Sequence, residues 1–410
     1  MNPVINSAIA STFQAMRHRN FRLWFVGQLV SLVGTWMQTI AQNWLVYTLT
    51  GSAADLGLVN FVGAVPMVFL TLYAGVIADR FEKRRIVFWC QVAMMLLAFI
   101  LAGLCWTGVV RFWHVLLLAF LLGTAMAIDT PARQSFAVEL VGKEDLTNAI
   151  ALNSSIFHGA RVLGPAAAGI LIAISGVAGA FFLNGVSFLA VLLALFLMDV
   201  SLIRRTGGGG DSAKDQLGGV RYLRENRVPR AIVLMISLSS LIAMPYYVLI
   251  PIFAKEILGR GAETYGVLMS AAGIGSVVGA LFSATPLAGR HKGRTIISSG
   301  LAFPALLLGF AFCKGYASSI LILVAVGFAV VVQNALANSL LQEHVPDHLR
   351  GRVMSLYVSF MLGMMRVGSL LIGVLAEMTS TPAALASFAV AGLAAVLWVR
   401  QRYPELSEAA

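Results

Sequence analysis

About a dozen apolar runs, each long enough to cross a bilayer and separated by short charged loops, leave this chain few ways to fold. A spanning helix needs roughly 17–20 apolar residues. Charged residues make up 11% of the chain, against about 25% in a soluble domain, so no polar surface is available to cover so much apolar sequence. In hydrocarbon every backbone N–H and C=O must bond within its own segment, which selects helices for runs of this length. The fold expected is an all-α polytopic membrane protein.

Spans are expected at 23–47, 56–78, 86–106, 113–136, 149–174 and 178–198, then at 231–253, 265–287, 296–312, 320–341, 353–378 and 383–399. Between the sixth and seventh lies a polar stretch holding Gly207-Gly208-Gly209-Gly210, which reads as a flexible linker. Twelve transmembrane helices in two pseudo-symmetric six-helix bundles follow: a segment 1–20, a bundle 21–199, a linker 200–230, a bundle 231–400 and a tail 401–410. Of 29 cationic residues, Arg111, Lys255, Arg260 and Lys314 fall on one side, Arg161 and Arg366 lie inside spans, and the rest crowd the other side. That bias makes the crowded side cytoplasmic, with both termini inside. The net charge of +11 is therefore a topology signal, and no basic, aromatic-interleaved groove points to nucleic acid. Arg17, His18 and Arg19 precede the first span without a small-residue cleavage site, so no signal peptide is expected. Cys90, Cys105 and Cys313 all lie in apolar runs and read as small core hydrophobes. The halves repeat at a near-constant offset: Glu139 with Glu343, Arg161 with Arg366, Gly75 with Gly279. Repeated halves with a site at their interface are a common transporter design.

The turn Gly75-Val76-Ile77-Ala78-Asp79-Arg80-Phe81-Glu82-Lys83-Arg84-Arg85 packs charge between two apolar runs. It resembles the loop between the second and third helices of the major facilitator superfamily of transporters. Glu82 stands where that family usually has glycine, and in the second half Ser283 replaces the aspartate. The resemblance implies a cytoplasmic gate built from Gly75, Asp79, Arg80 and Arg84, with Asp79 meeting the N-terminus of the eleventh helix, whose dipole is positive there. Phe21-Arg22-Leu23-Trp24, Val345-Pro346-Asp347 and Arg350-Gly351-Arg352-Val353-Met354-Ser355-Leu356-Tyr357 resemble the branch holding the enterobactin exporter and similar bacterial efflux permeases. Gly164, Pro165 and Gly169 in the fifth span resemble the glycine–proline motif of superfamily antiporters, chiefly exporters, with Ala168 where a second glycine often stands. Ordinary transmembrane kinking is the alternative reading of that motif.

Arg161 and Arg366 each lie about 13 residues from a helix start, roughly 20 Å deep at 1.5 Å per residue. An arginine at that depth faces a water-filled cavity or a partner. Two readings stand: both line a central cavity and attract an anionic group, or each pairs with a buried carboxylate or backbone carbonyls. His158 shares the face of Arg161. Gln28, Ser31, Thr35, Gln38 and Gln42, at spacings of three and four, form a polar stripe on the first helix, facing either the cavity or another helix. Asn334 and Asn338 form a weaker face, and Tyr246 and Tyr247 suit an amphipathic or aromatic cargo or a helix interface. Asp129 is a carboxylate within a span, either a proton carrier or, with Arg133 four residues on, a structural ion pair. The fourth-helix arginine often found in the superfamily is absent: its neighbourhood reads Leu116-Leu-Leu-Ala-Phe-Leu-Leu-Gly.

His344, Asp347 and His348 read as a loop rather than a metal site, since Pro346 interrupts them. No metal, no cofactor and no enzymatic chemistry are expected. The function expected is secondary transport by alternating access in a bacterial cytoplasmic membrane. The carrier would be a monomer exporting a small amphipathic or anionic molecule, such as a siderophore or drug, in exchange for protons. A lysophospholipid flippase is the alternative, and a polytopic membrane enzyme or non-transporting receptor an alternative of another class. An enzyme would show acidic residues and histidines clustered at one membrane face, and a receptor a soluble sensing domain.

Overall fold

The computed structural model describes residues 14–142, 144–203 and 216–409, excepting the side chains of 68, 71–80 and 216–217, and most of the described residues between Arg19 and Arg402 are helical. Among the described residues nine helices are long and apolar enough to cross a membrane. One of them, Leu146–Leu197, is 52 residues long and contains two spans. It divides at Gly176, whose φ of 70° and ψ of 179° no residue with a Cβ adopts readily. Adding Arg19–Thr50 and Ala53–Arg80 completes twelve.

In chain order these are α1 (Arg19–Thr50), α2 (Ala53–Arg80), α3 (Lys83–Trp106), α4 (Phe112–Val141), α5 (146–175), α6 (177–197), α7 (Arg227–Ile257), α8 (Ala262–Ser283), α9 (Lys292–Ala311), α10 (Tyr316–His344), α11 (Asp347–Met378) and α12 (Thr381–Arg402). The short helix Gln216–Glu225 precedes α7. Several helices outrun the expected spans. α4 continues to Val141 and α11 begins at Asp347, so both project polar turns beyond the apolar stretch.

The apolar exterior is what a bilayer requires. Ile174, Phe196 and Met378 are each more than three-quarters exposed, an arrangement that water would penalise and lipid does not. Inside, small residues bring helices together. A Cβ on Gly164 of α5 would collide with Trp36 and approach the Val33 carbonyl to 2.9 Å. A Cβ on Gly279 of α8 would come 2.7 Å from the Phe328 carbonyl of α10. Both positions are therefore held to glycine by backbone approach.

Contacts divide the chain into two units. One holds residues up to 42 together with 65–209; the other holds 43–64 together with 210–410. In the first unit Trp24 meets Phe136 edge-on at 5.3 Å within a core formed by α1, α4 and their neighbours. In the second unit α9, α10 and α12 enclose a core around Leu340, Tyr357 and Val399.

α7 is irregular. It is helical to Ile242, passes through a 3-10 turn at Met244–Val248, and ends in a π-type turn at Phe253–Ile257. Pro245 and Pro251 remove two donors from the ladder. Such a break is tolerated in a membrane only where protein covers it, and Pro245, Tyr246, Val248, Leu249 and Ile250 are all buried.

The loop ends are tied by ion pairs that repeat between halves. Lys83 at the start of α3 bonds Glu139 near the end of α4 at 2.7 Å. Lys292 at the start of α9 bonds Glu343 near the end of α10. At the head of α5, Asp145 receives Arg17 at 2.8 Å and His18 at 2.6 Å. The His18 hydrogen bond, with Arg17 beside it, holds the Asp145 carboxyl below its usual range. A depressed carboxylate adds stability above its ordinary value near 3.8 and loses it as pH falls through the folded value. Acidification below about pH 4 should therefore release the segment before α1. Limited proteolysis there should accelerate on acidification in the wild type and already be fast at neutral pH in Asp145→Asn.

Candidate functional site

In the first unit the buried polar groups converge on α4. Asp129 is fully buried. Its Oδ2 lies 3.0 Å from Arg133 Nε, and its Oδ1 accepts from Gln91 Nε2 of α3 at 3.3 Å. Arg133 also donates to Gln28 Oε1 of α1 at 3.2 Å. One carboxylate, one guanidinium and two amides thus link three helices. A buried charge is sustained only by such pairing.

The polar stripe of α1 divides along its length. Gln28 serves Arg133, and Gln38 Oε1 accepts from Asn184 of α6, which also touches Ser187. Ser31 is buried, and Thr35 returns its hydroxyl to the Ser31 carbonyl at 2.9 Å. Gln42 is half-buried. On α5, Arg161 sits over the Trp36 ring with its Cζ 5.8 Å from the centroid. His158 is half-buried, and its Nδ1 has no hydrogen-bond partner among the described residues. Phe157 meets Trp36 edge-on at 5.8 Å, so His158, Arg161, Phe157 and Trp36 form one aromatic–cationic patch. Gly164, Pro165 and Gly169 are buried further along α5.

The second unit places its intramembrane arginine beside the break in α7. Arg366 donates to the Tyr247 hydroxyl at 3.3 Å, and that hydroxyl is 3.0 Å from Ser369 Oγ. Gly368 makes the approach possible: a Cβ there would collide with the Leu241 carbonyl. Tyr246 turns the other way, buried edge-on against Phe303 at 6.2 Å. Asn334 bonds its own helix at Val330, its carbonyl accepts from Tyr357, and Asn338 accepts from Gln342. These two asparagines do not join the Arg366 group. Neither Arg161 nor Arg366 has an ion-pair partner among the described residues.

Arg84 spends its guanidinium on a helix end, donating to the Leu195 carbonyl of α6 from Nε at 3.1 Å and from a terminal nitrogen at 2.6 Å. A cation suits the negative end of a helix dipole. Gly75, Asp79 and Arg80, the other residues expected at the gate, lie in the stretch 71–80, whose side-chain positions are outside the described residues.

A further polar set in the second unit was not singled out from the sequence. Asn60 donates to Asn43 at 2.9 Å, and Asn43 donates to Tyr265 of α8 at 3.4 Å. Tyr47 donates to Glu256, with Lys255 Nζ 5.2 Å from its ring centroid. Glu377 of α11 accepts from the Ala53 N–H at 2.9 Å, capping α2. Asn43 and Tyr47 lie four apart on α1, which is the signal that could have drawn attention to them.

Twelve helices of membrane-spanning length define a multi-pass membrane protein, and known proteins make it a transporter. The chain belongs to the transmembrane secretion effector family of the major facilitator superfamily, whose model matches residues 10–410. It is 27% identical over 363 residues to the staphyloferrin A transporter of Staphylococcus aureus, spanning 87% of this chain and 89% of that one. It is 28% identical over 394 residues to the enterobactin exporter EntS of Shigella boydii, spanning 92% and 89%. A point mutant of the nucleoside transporter NupG superposes with a TM-score of 0.74 at 14% identity, covering 94% of this chain and 99% of that one. That last likeness establishes the fold. The resemblance to the efflux branch of the superfamily, drawn from Phe21-Arg22-Leu23-Trp24, Val345-Pro346-Asp347 and the stretch from Arg350 to Tyr357, agrees with the staphyloferrin A transporter and EntS.

Proposed function

We propose that this transporter exports a small amphipathic or anionic molecule of the siderophore kind across a bacterial cytoplasmic membrane, by alternating access and in exchange for protons. The observation that carries the reading is the pair of intramembrane arginines. Each half-buried guanidinium has an aromatic or hydroxyl neighbour and no carboxylate among the described residues. An uncompensated cation at that depth is costly unless an anion visits it. Catecholate and carboxylate chelators combine negative charge with aromatic or apolar bulk, which Trp36 and Tyr247 complement. The names of the two curated relatives support this cargo class.

In this reading 21–199 and 231–400 are the moving bundles, 200–230 joins them, and the cation-rich side with both termini is cytoplasmic. Gly75, Asp79, Arg80 and Arg84 close the cytoplasmic side. The carrier works as a monomer. Asp129, paired with Arg133, is the proton carrier.

Everted vesicles test the reading. An imposed pH gradient should drive accumulation of a catecholate or carboxylate siderophore, and Asp129→Asn should remove the response to the gradient while leaving downhill movement. No accumulation of either class by wild type sinks the cargo assignment. Gradient-driven uptake that survives in Asp129→Asn removes Asp129 from the coupling.

A further inference from the structure

Three guanidiniums surround one tyrosine where α7 begins and α12 ends. Arg227, Arg230 and Arg402 place their Cζ atoms 5.9, 5.3 and 5.9 Å from the centroid of the Tyr403 ring. Glu405 pairs with Arg227 at 2.6 Å. Neither Arg230 nor Arg402 has an ion-pair partner among the described residues. Arg230 donates from a terminal nitrogen to the Arg224 carbonyl at 3.1 Å, and its Nε is buried without a hydrogen-bond partner.

The helix end beneath them is electropositive as well. The first turn of α7 holds no acidic residue, and the Asn226 side chain makes no capping bond. The positive end of the dipole therefore adds to Arg227 and Arg230 rather than offsets them. Glu405 offsets Arg227 alone, which leaves the Arg230 and Arg402 charges beside a helix N-terminus where an anion is favoured. Arg227 also donates to the Arg402 carbonyl at 3.2 Å, so the two helix ends are fastened together around the cluster.

Depth in the membrane selects the anion. Trp398, one turn before Arg402, is half-exposed and lies 6.5 Å from Tyr403, ring to ring. Exposed Trp beside Tyr at a helix end marks the level of lipid headgroups. Basic pockets between transmembrane helices at that level take anionic headgroups.

We propose that Arg227, Arg230 and Arg402 hold the phosphate of an anionic phospholipid in the leaflet that this end of the bundle faces. The site lies within the second unit and away from the Arg366 group. It rests on the membrane-spanning reading, with the proposed orientation needed only to say which leaflet it is. The headgroup phosphate sits over the start of α7, and the acyl chains run down the apolar faces beside Trp398. Bound lipid then fixes the α7 and α12 ends to one another and neutralises the helix terminus.

Native mass spectrometry of the intact protein in detergent tests this with dioleoyl-phosphatidylglycerol and dioleoyl-phosphatidylcholine as probes. Wild type should retain the anionic lipid about tenfold better than the zwitterionic one, with the preference falling as salt rises. Arg230→Gln with Arg402→Gln should reduce retention of phosphatidylglycerol to the phosphatidylcholine level, whereas Arg85→Gln, at the basic turn of the first unit, should not. Equal retention of both lipids by wild type overturns the proposal without any variant. So does an equal loss in Arg85→Gln, which would mean general attraction to positive charge. Inorganic phosphate that displaces the lipid at equal concentration would make this a free-anion site and also overturn it. None of these readouts depends on transport, so they stand or fall apart from the cargo assignment.

Discussion

Arg366→Ala and Arg161→Ala should each lower cargo export by at least tenfold while the protein still inserts and folds. A hydrogen bond to a charged group contributes about 1.5–3 kcal/mol, which corresponds to roughly a ten- to hundredfold change in binding. Arg366 is expected to show the larger loss, because its guanidinium already presents a polar edge together with Tyr247 and Ser369. Tyr247→Phe should then reproduce a fraction of the loss by removing the hydroxyl that orients it. Arg161 acts across the Trp36 ring, so Arg161→Lys should retain part of its activity through charge, whereas Arg366→Lys should retain less. Export would be followed in vesicles and folding by monodispersity and thermal unfolding. Wild-type export by a folded Arg161→Ala, Arg366→Ala double variant removes both residues from the cargo path.

The largest effect on stability should come from Glu139→Gln. Lys83 and Glu139 are both nearly buried, with side chains 10% and 7% exposed. Taking one member out of a buried ion pair typically costs about 3–5 kcal/mol. The counterpart in the second half behaves differently although the residues correspond. Glu343 is 47% exposed. Its carboxyl is held below the usual range chiefly by the Lys292 hydrogen bond, but solvent screens the pair. Glu343→Gln should cost about 1 kcal/mol or less. Lys83→Met together with Glu139→Met should recover most of what Glu139→Gln loses, since apolar groups of similar volume often replace a buried ion pair at little cost. Thermal unfolding in one detergent decides the order. Equal losses at the two glutamates would mean that burial does not set the difference.

Much of the architecture was legible because it follows from run length and composition. Spans, their number and the boundary near Gly176 need no knowledge of neighbours. The break in α7 was visible as Pro245 and Pro251, yet nothing local says how the backbone resumes after it. The side-chain partnerships were harder. Spacing placed Gln28 and Gln38 on one stripe, but the helix each meets depends on rotation and tilt, so one quenches Arg133 and the other Asn184. Asp129 and Arg133 were readable as neighbours because they lie four apart on one helix; Gln91, on α3, was not. The 204-residue offset hinted that Glu139 and Glu343 are equivalent. Their lysines follow a different offset, so the matching ion pairs emerge only from coordinates. The contact of Asn43 with Tyr265 spans 222 residues, and no local pattern carries that information.

The segment 43–64 has a consequence for how such a chain is made. It is translated with the first half, yet its polar side chains find their partners in residues synthesised much later. Until α7, α8 and α11 emerge, the bonds of Tyr47 to Glu256, Asn43 to Tyr265 and the Ala53 N–H to Glu377 are unmade. A severed gene encoding the early helices alone would leave that segment permanently in want. The segment is therefore expected to settle only once the late helices are made.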